Sequence, residues 1–432
     1  MLEDGDTSVF LDFGKSFGKE KQYYEQSFLS PRKETHLLNL GLLPRMDGLY
    51  KDDLEPPVDG VLISHPHTDH WGYSCYLDNR VPLYCGEATR DIITCYEFSS
   101  SMGPSKDYYL ANLTKSRGEE VFKDFRTYRT GNNIEIGSIE VEPVHVDHSI
   151  PAAYGFIIHT SSGPIIYTGD LRFHGPRGDM TYEFVKKASA AEPVSLVTEG
   201  TNITGASISS EASVEEDIAM IASKHKGLVA ASFSDRDVDR IRSMYNAAKK
   251  TGRRLAVSMK QAFMLQALAS DPHLEIFDST DPDVLVFQRE KSRTYAWEER
   301  VLDRWRICCA EEVNKIQSDI ILAASYYDMN ELCDIVPEPG SVFILSQSEP
   351  FDEEGEIQHD KLLNWCNHYG MPQYHVHSSG HAAPHELKAL IKTIDPETVY
   401  PVHTERPGLL KHYINDLDCN VVLPIERKTV EI

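Results

Sequence analysis

Short apolar runs that end in turn residues dominate the first two hundred positions. Ser8-Val9-Phe10-Leu11 ends at Asp12, Val61-Leu62-Ile63 enters a histidine-rich segment, and Pro164-Ile165-Ile166-Tyr167-Thr168 ends at Gly169-Asp170. Further runs at 134–144 and 153–159 flank His148. Strand-length runs closed by Gly, Asp or His predict β-strands, each handing a polar turn to its C-terminal end. From about residue 205 the pattern changes, and helical periodicity at 213–224, 235–251 and 294–314 alternates with strand candidates at 227–231, 255–258, 284–287 and 320–323. That alternation predicts βαβ units on a parallel sheet. The earlier style returns after 370, with a strand at 373–377, a helix at 385–393 and a strand at 398–401. The expected organisation is therefore 1–204 and 370–432 as two parts of one α/β domain, with 205–369 as an inserted α/β domain.

Composition narrows the class. The chain has 432 residues, 41% hydrophobic and 25% charged, which is ordinary for globular domains and too long for one core. No apolar run approaches the length of a transmembrane helix, and the acidic start Met1-Leu2-Glu3-Asp4-Gly5-Asp6 lacks the basic region of a signal peptide. Eight scattered cysteines without a CxxC pair fit reduced thiols better than a disulfide framework. These features predict a cytoplasmic protein with no membrane partner. The net charge of −24 is opposite in sign to what favours polyanion binding. Residues 231–260 run against it, with eight Lys and Arg against three Asp, read either as a substrate stripe or as the solvated face of an amphipathic helix.

The sharpest chemical signal is Ser64-His65-Pro66-His67-Thr68-Asp69-His70-Trp71-Gly72, immediately after a strand. Imidazole and carboxylate are ligands of zinc and related metals, and alternating positions on a tight loop can serve two ions. His148, in Asp147-His148-Ser149-Ile150-Pro151, and Asp170, in Tyr167-Thr168-Gly169-Asp170-Leu171-Arg172, sit at other strand ends. His145 competes with His148, since on an extended strand the two face opposite sides. Glu199 follows Leu196-Val197-Thr198, His381 lies in His377-Ser378-Ser379-Gly380-His381, and His403 follows Tyr400-Pro401-Val402. Taken alone, Glu199 also reads as an acid at a helix start and His403 as a surface histidine.

The ordered motifs resemble the metallo-β-lactamase fold, an αββα sandwich, with Asp12 in Phe10-Leu11-Asp12-Phe13-Gly14 as its first acid. Glu199, His381 and His403 resemble motifs A, B and C of the β-CASP nucleases around their inserted domain. Ser232-Phe233-Ser234-Asp235-Arg236-Asp237 and Leu345-Ser346-Gln347-Ser348-Glu349-Pro350 are similar to loops of ribonuclease J, and the likeness covers nearly the whole chain. It implies two zinc ions, with manganese as the alternative. One would take His65, His67 and His148, the other Asp69, His70 and His403, with Asp170 shared. Asp69, Glu199 and His381 are the implied catalytic residues, with His381 as proton donor or charge stabiliser oriented by Glu199.

The same resemblance implies a single-stranded RNA substrate, trimmed 5′→3′ with endonucleolytic cutting left open. It also implies a pocket for a 5′ monophosphate lined by Ser232, Ser234, His377, Ser378 and Ser379, although His377 reads equally as structural. Relatives carry a strand before the Asp12 strand, so the first sheet edge here is expected to be abbreviated or the chain start late. Without the separate C-terminal domain of bacterial ribonuclease J, the chain is similar to the short archaeal-type members, and a homodimer is left open. The competing reading is a small-molecule metallohydrolase of lactonase or thioesterase type on the same fold.

Overall fold

Period-two burial in the strand Ala153–Thr160 builds the first compact unit outward from its middle. Tyr154 and Phe156 face one way and meet Tyr128 at ring-centroid distances of 4.9 and 5.9 Å, while Ile157 faces the other way into a helix-covered core. Gly155 faces that same helix layer, where a Cβ would come within 2.5 Å of the Phe184 ring. The computed structural model describes every residue except 26–28, 52, 101–107, 114–119, 206–208, 349–352, 427 and 432. Glu349 and Pro350 of the second ribonuclease J-like loop thus lie outside the described residues.

Two sheets form the inside of this unit. The first orders its strands Leu2–Asp4, Thr7–Leu11, Gly60–Leu62, Leu83–Gly86 and Phe125–Tyr128. The second runs Asn420–Val421, Thr398–Pro401, Ser195–Thr198, Gly163–Tyr167, Ala153–Thr160, Ile139–Val146 and Ile134–Ile136. Helices cover the outer faces. Leu37, Ile93, Val61 and Leu83 share one core, and Phe184, Leu387, Ile391, Ile157 and Leu196 share another. The result is an αββα sandwich of the mixed α/β class. A strand does precede the Asp12 strand, the three-residue Leu2–Asp4 pairing antiparallel with Thr7–Leu11 through a turn in which Gly5 has φ +60°.

The chain divides into two compact units, one holding Met1–Phe173, Arg177–Ala206 and Gly380–Ile432, the other His174–Pro176 and Ser207–Ser379. The second unit is a seven-stranded, wholly parallel sheet in the order Ile307–Cys308, Val284–Phe287, Arg254–Ser258, Ile320–Ala323, Val229–Ser232, Val342–Leu345 and Gln373–His375. Four of its strands, Val284–Phe287, Ile320–Ala323, Val229–Ser232 and Val342–Leu345, are buried throughout, as the interior of a parallel sheet requires. The expected single helix over 294–314 is instead two, Ala296–Leu302 and Ala310–Lys315, separated by the edge strand Ile307–Cys308. Trp305 and Cys308 are buried on either side of that break, so apolar spacing alone reads as continuous.

Two of the eight cations in the basic stretch at 231–260, Arg240 and Arg253, are buried inside this unit and so unavailable to a substrate. Arg240 is fully buried and donates to both oxygens of Glu211 at 2.7 and 3.0 Å. Arg253, also buried, donates to the carbonyls of Gly227, Gln317, Ile320 and His225. Arg242 pairs with Asp239 and Lys250 with Glu215. Removing one member of a buried ion pair strands its partner, at a cost of roughly 3–5 kcal/mol. Arg240→Ala should accordingly lower the unfolding free energy by about that much in urea titrations, whereas a loss of under about 1 kcal/mol would mean that Glu211 is solvated or protonated without it.

Candidate metal centre

The histidine loop is locked in place by the backbone before any side chain is considered. It leaves the strand Gly60–Leu62 and closes in the short helix Thr68–Trp71. Phe13 N–H donates to the His70 carbonyl at 2.8 Å and Lys15 N–H to the Thr68 carbonyl at 3.1 Å. Gly14 permits this approach, since a Cβ there would fall 1.6 Å from the Asp69 carbonyl oxygen. Asp12 and His403 both hold left-handed backbone, φ +62° and +49°, which costs a non-glycine residue about 1–3 kcal/mol and persists where the surroundings enforce it.

Three ring nitrogens converge first. His67 Nδ1 lies 3.0 Å from His65 Nε2 and 3.0 Å from His148 Nε2. Ligand nitrogens on a tetrahedral zinc stand about 3.3 Å apart, so a shared cation fits these three closely. Burial first, and neighbouring imidazoles second, hold His65 and His148 well below the ordinary histidine pKa, leaving both neutral as ligands must be.

A second group adjoins it. Asp69 Oδ2 lies 3.2 Å from His403 Nε2 and 3.9 Å from His70 Nε2. Asp170 Oδ2 reaches both groups, at 3.7 Å from His65 Nε2, 3.2 Å from His70 Nε2 and 3.6 Å from His403 Nε2. His70 Nε2 is buried and makes no well-formed hydrogen bond, an arrangement that suits a cation. Burial disfavours charge on His70, but Asp170 and Asp12 outweigh it and hold the pKa well above the ordinary value. His403 is raised in the same way, mainly by Asp170. Metal entering this second group must displace those protons, so its occupancy should be the more sensitive to acid.

Three of the clustered histidines, His70, His148 and His403, are oriented from behind. His70 Nδ1 meets Asp12 Oδ2 at 2.6 Å, and that oxygen also accepts from Tyr167 OH at 2.6 Å and Ser64 Oγ at 2.8 Å. His148 Nδ1 meets the Gly380 carbonyl at 2.5 Å, and His403 Nδ1 meets Thr201 Oγ1 at 2.8 Å. Such partners fix tautomer and ring angle, leaving the other nitrogen for a metal. Sequence reasoning missed the buried Arg172, which joins the two ligand turns: its Nε donates to Asp147 Oδ1 at 3.3 Å and its N–H to the Asp147 carbonyl at 2.8 Å. Its one visible signal was adjacency, since Asp147 precedes His148 and Arg172 closes the Asp170 motif.

Glu199 and His381 lie beside the cluster, Glu199 Oε2 3.0 Å from His381 Nδ1. Burial opposes charge on His381, yet Glu199 first and Asp170 second raise its pKa to about 9. His145 lies elsewhere, with Nδ1 on Thr130 Oγ1 at 2.8 Å and its ring against Tyr154. The five remaining candidates are in the second unit. Ser232 is buried, with Oγ donating to Gln347 Oε1 at 3.2 Å, and Ser234 is exposed, accepting from Arg236 N–H at 3.2 Å. His377 Nδ1 is 3.4 Å from Arg240 Nη1, Ser378 Oγ donates to the Ser209 carbonyl at 2.9 Å, and the Ser379 carbonyl meets His174 Nε2 at 3.0 Å. The Ser232 and Ser378 hydroxyls thus already donate within the protein.

Comparison with known proteins locates two families on the chain. A β-lactamase superfamily domain matches residues 44–199, and a Zn-dependent metallo-hydrolase RNA specificity domain matches 373–424. The first segment holds six of the seven clustered side chains together with Glu199, and the second holds His381 and His403. Ribonuclease J 2 of Streptococcus pyogenes is 24% identical over 420 residues, covering 95% of this chain and 68% of that protein. Ribonuclease J of Sinorhizobium meliloti is 25% identical over 364 residues, covering 82% and 59%. The chain therefore spans about 60 to 70% of the length of these two relatives. A crystal structure of a protein of unknown function from Enterococcus faecalis superposes with a TM-score of 0.74 at 20% identity, covering 98% of this chain and 93% of that one, a likeness of fold.

The Glu199–His381 pair sets a titration test. In the metal-free chain the His381 imidazole should titrate near 9 by NMR and fall towards the ordinary value in Glu199→Gln. With its pKa raised on folding, His381 contributes stability that is complete below about 6.5 and lost as pH rises through about 9. Equal pKa values in wild type and Glu199→Gln would remove Glu199 as the cause.

Proposed function

We propose that this metallo-β-lactamase-fold chain, with its β-lactamase superfamily domain and RNA specificity domain, is a zinc-dependent ribonuclease of the ribonuclease J type. It hydrolyses RNA phosphodiesters, chiefly as a 5′→3′ exonuclease, with single-stranded RNA as substrate and the cytoplasm as its place of action. The second unit is read as the β-CASP domain inserted into the first. The observation that carries this reading is the acid–imidazole pair Glu199–His381, 3.0 Å apart, beside the seven clustered His and Asp ligand candidates.

Two zinc ions are assigned, the first to His65, His67 and His148, the second to Asp69, His70 and His403, with Asp170 common to both. Bound there, zinc supplies a water ionised near neutral pH and positive charge against the phosphate. The chain's own side chains do the rest. Asp12, Tyr167 and Ser64 keep His70 in one tautomer, and Thr201 does the same for His403. Glu199 holds His381 through Nδ1 and stabilises its protonated form, so the proton given to the leaving 3′ oxygen stands on Nε2. Ser232, Ser234, His377, Ser378 and Ser379 are assigned to the 5′ monophosphate, with Arg240 holding His377 and the Ser346 turn.

The test is to incubate the zinc-loaded chain with 3′-labelled RNA bearing a 5′ monophosphate or a 5′ triphosphate. Faster loss of the monophosphorylated RNA, absent in His67→Ala, is the expected result. His381→Ala should keep its zinc and lose cleavage by about 10²–10⁴-fold, the usual contribution of a positioned acid. No RNA cleavage with zinc or manganese, together with turnover of a lactone panel, would overturn the reading in favour of a small-molecule metallohydrolase.

A further inference from the structure

Every strand of the second unit's sheet is parallel, so all its C-terminal ends open along one edge. In open α/β sheets that edge is where ligands bind. Two loops meet there. The one after Val284–Phe287 carries Arg289, Lys291, Arg293 and Tyr295, and the one after Ile320–Ala323 leads into the turn Tyr326–Glu331. Arg289 Nη1 joins them by donating to the Tyr327 carbonyl at 3.3 Å.

These loops, 288–295 and 324–331, balance Arg289, Lys291 and Arg293 against Glu290, Asp328 and Glu331, and carry Tyr295, Tyr326 and Tyr327. Tyr295 and Tyr327 are 47% and 64% exposed, large rings left in water without a core to fill. Lys291 Nζ lies 5.2 Å and Arg293 Cζ 5.5 Å from the Tyr295 ring centroid, and Tyr326 packs edge-on against Tyr327. Asp328 stands 3.7 Å from Arg289 and Glu298 pairs with Lys291, whereas no carboxylate of the described residues pairs with the exposed Arg293. Lys260, also exposed, lies in the first turn of the helix Met259–Leu268, which follows Arg254–Ser258 on the same edge. Exposed rings interleaved with cations stack bases and neutralise phosphates, whereas an acidic peptide needs only the cations.

We infer that Arg289, Arg293, Tyr295 and Tyr327 form a binding ledge for the unpaired bases and phosphates of single-stranded RNA. The inference rests on the ribonuclease reading and adds a second contact to it. Strand order puts three sheet steps between Ser232 and the Val284–Phe287 strand, about 14 Å along the edge. The ledge therefore holds nucleotides beyond those at the 5′-phosphate residues, and recognises them by their faces, without regard to sequence.

The test uses the zinc-loaded full chain and a slowly cleaved, phosphorothioate-linked single-stranded RNA of about 12 nucleotides, followed by fluorescence anisotropy. Tyr327→Ala and Arg293→Ala should each weaken binding by roughly fivefold or more, and Tyr295→Phe should bind as wild type. Arg293→Ala should also flatten the salt dependence, its log–log slope falling by about 0.7, while Tyr327→Ala leaves it unchanged. Duplex RNA, whose bases are already stacked, should not distinguish Tyr327→Ala from wild type. Wild-type affinity in both alanine variants, or an equal loss of duplex binding in Tyr327→Ala, overturns the ledge. Displacement of the RNA by polyglutamate of matched charge also overturns it, in favour of an acidic protein partner. If wild type binds and cleaves RNA while the variants match it, only the ledge falls; if wild type neither binds nor cleaves RNA, the ribonuclease reading falls and takes the ledge with it.

Discussion

Asp170 Oδ2 lies within 3.9 Å of a nitrogen on each of four histidines, His65, His70, His403 and His381. A carboxylate this deeply buried would normally be driven neutral, yet His70, His403 and His381 hold it well below the ordinary aspartate range. The same attraction works in reverse on its partners, raising His70, His403 and His381, while burial first and neighbouring imidazoles second keep His65 and His148 neutral. Burial and the carboxylates Asp170, Asp12 and Glu199 thus set His65 and His148, held neutral, apart from His70, His403 and His381, whose pKa values are raised.

The fold serves that carboxylate. Asp170 and Asp12 both leave their strands in turns where glycine or left-handed backbone is needed, Gly169 at φ +54° and Asp12 itself at φ +62°. A Cβ at Gly169 would press on the Tyr154 carbonyl at 2.9 Å and on Ser64 at 3.0 Å, so the turn can close only over a bare α-carbon. Arg172 then ties the Asp170 turn to the His148 turn, and Thr181 anchors both to the helix Gly178–Ala190 by accepting from Asp147 N–H and donating to the Arg172 carbonyl. The ligand candidates come from strand ends far apart in sequence, and their register is set by loops tied to one another through buried polar contacts.

What was legible in the sequence follows from this division of labour. The ligand candidates were visible because chemistry demands particular side chains at strand ends, and His65, His67, Asp69 and His70 fall within six positions. Their supports were less visible. Tyr167 was read as the end of a strand, and nothing in its spacing indicates a hydroxyl aimed at Asp12, 155 positions away. Charge counts misled for a related reason: Arg240 and Arg253 count as positive in a sequence window but are buried against Glu211 and backbone carbonyls. The helix break near residue 306 escaped because Trp305, Cys308 and Val313 are all buried, and apolar spacing carries no sign of the two-residue strand between them.

Native mass spectrometry of the zinc-saturated chain tests the two-ion assignment most directly. Two zinc ions per wild-type chain, falling to one or none in Asp170→Asn, is the result that a shared carboxylate between two sites requires. One zinc or fewer in wild type, or two retained in Asp170→Asn, would contradict it.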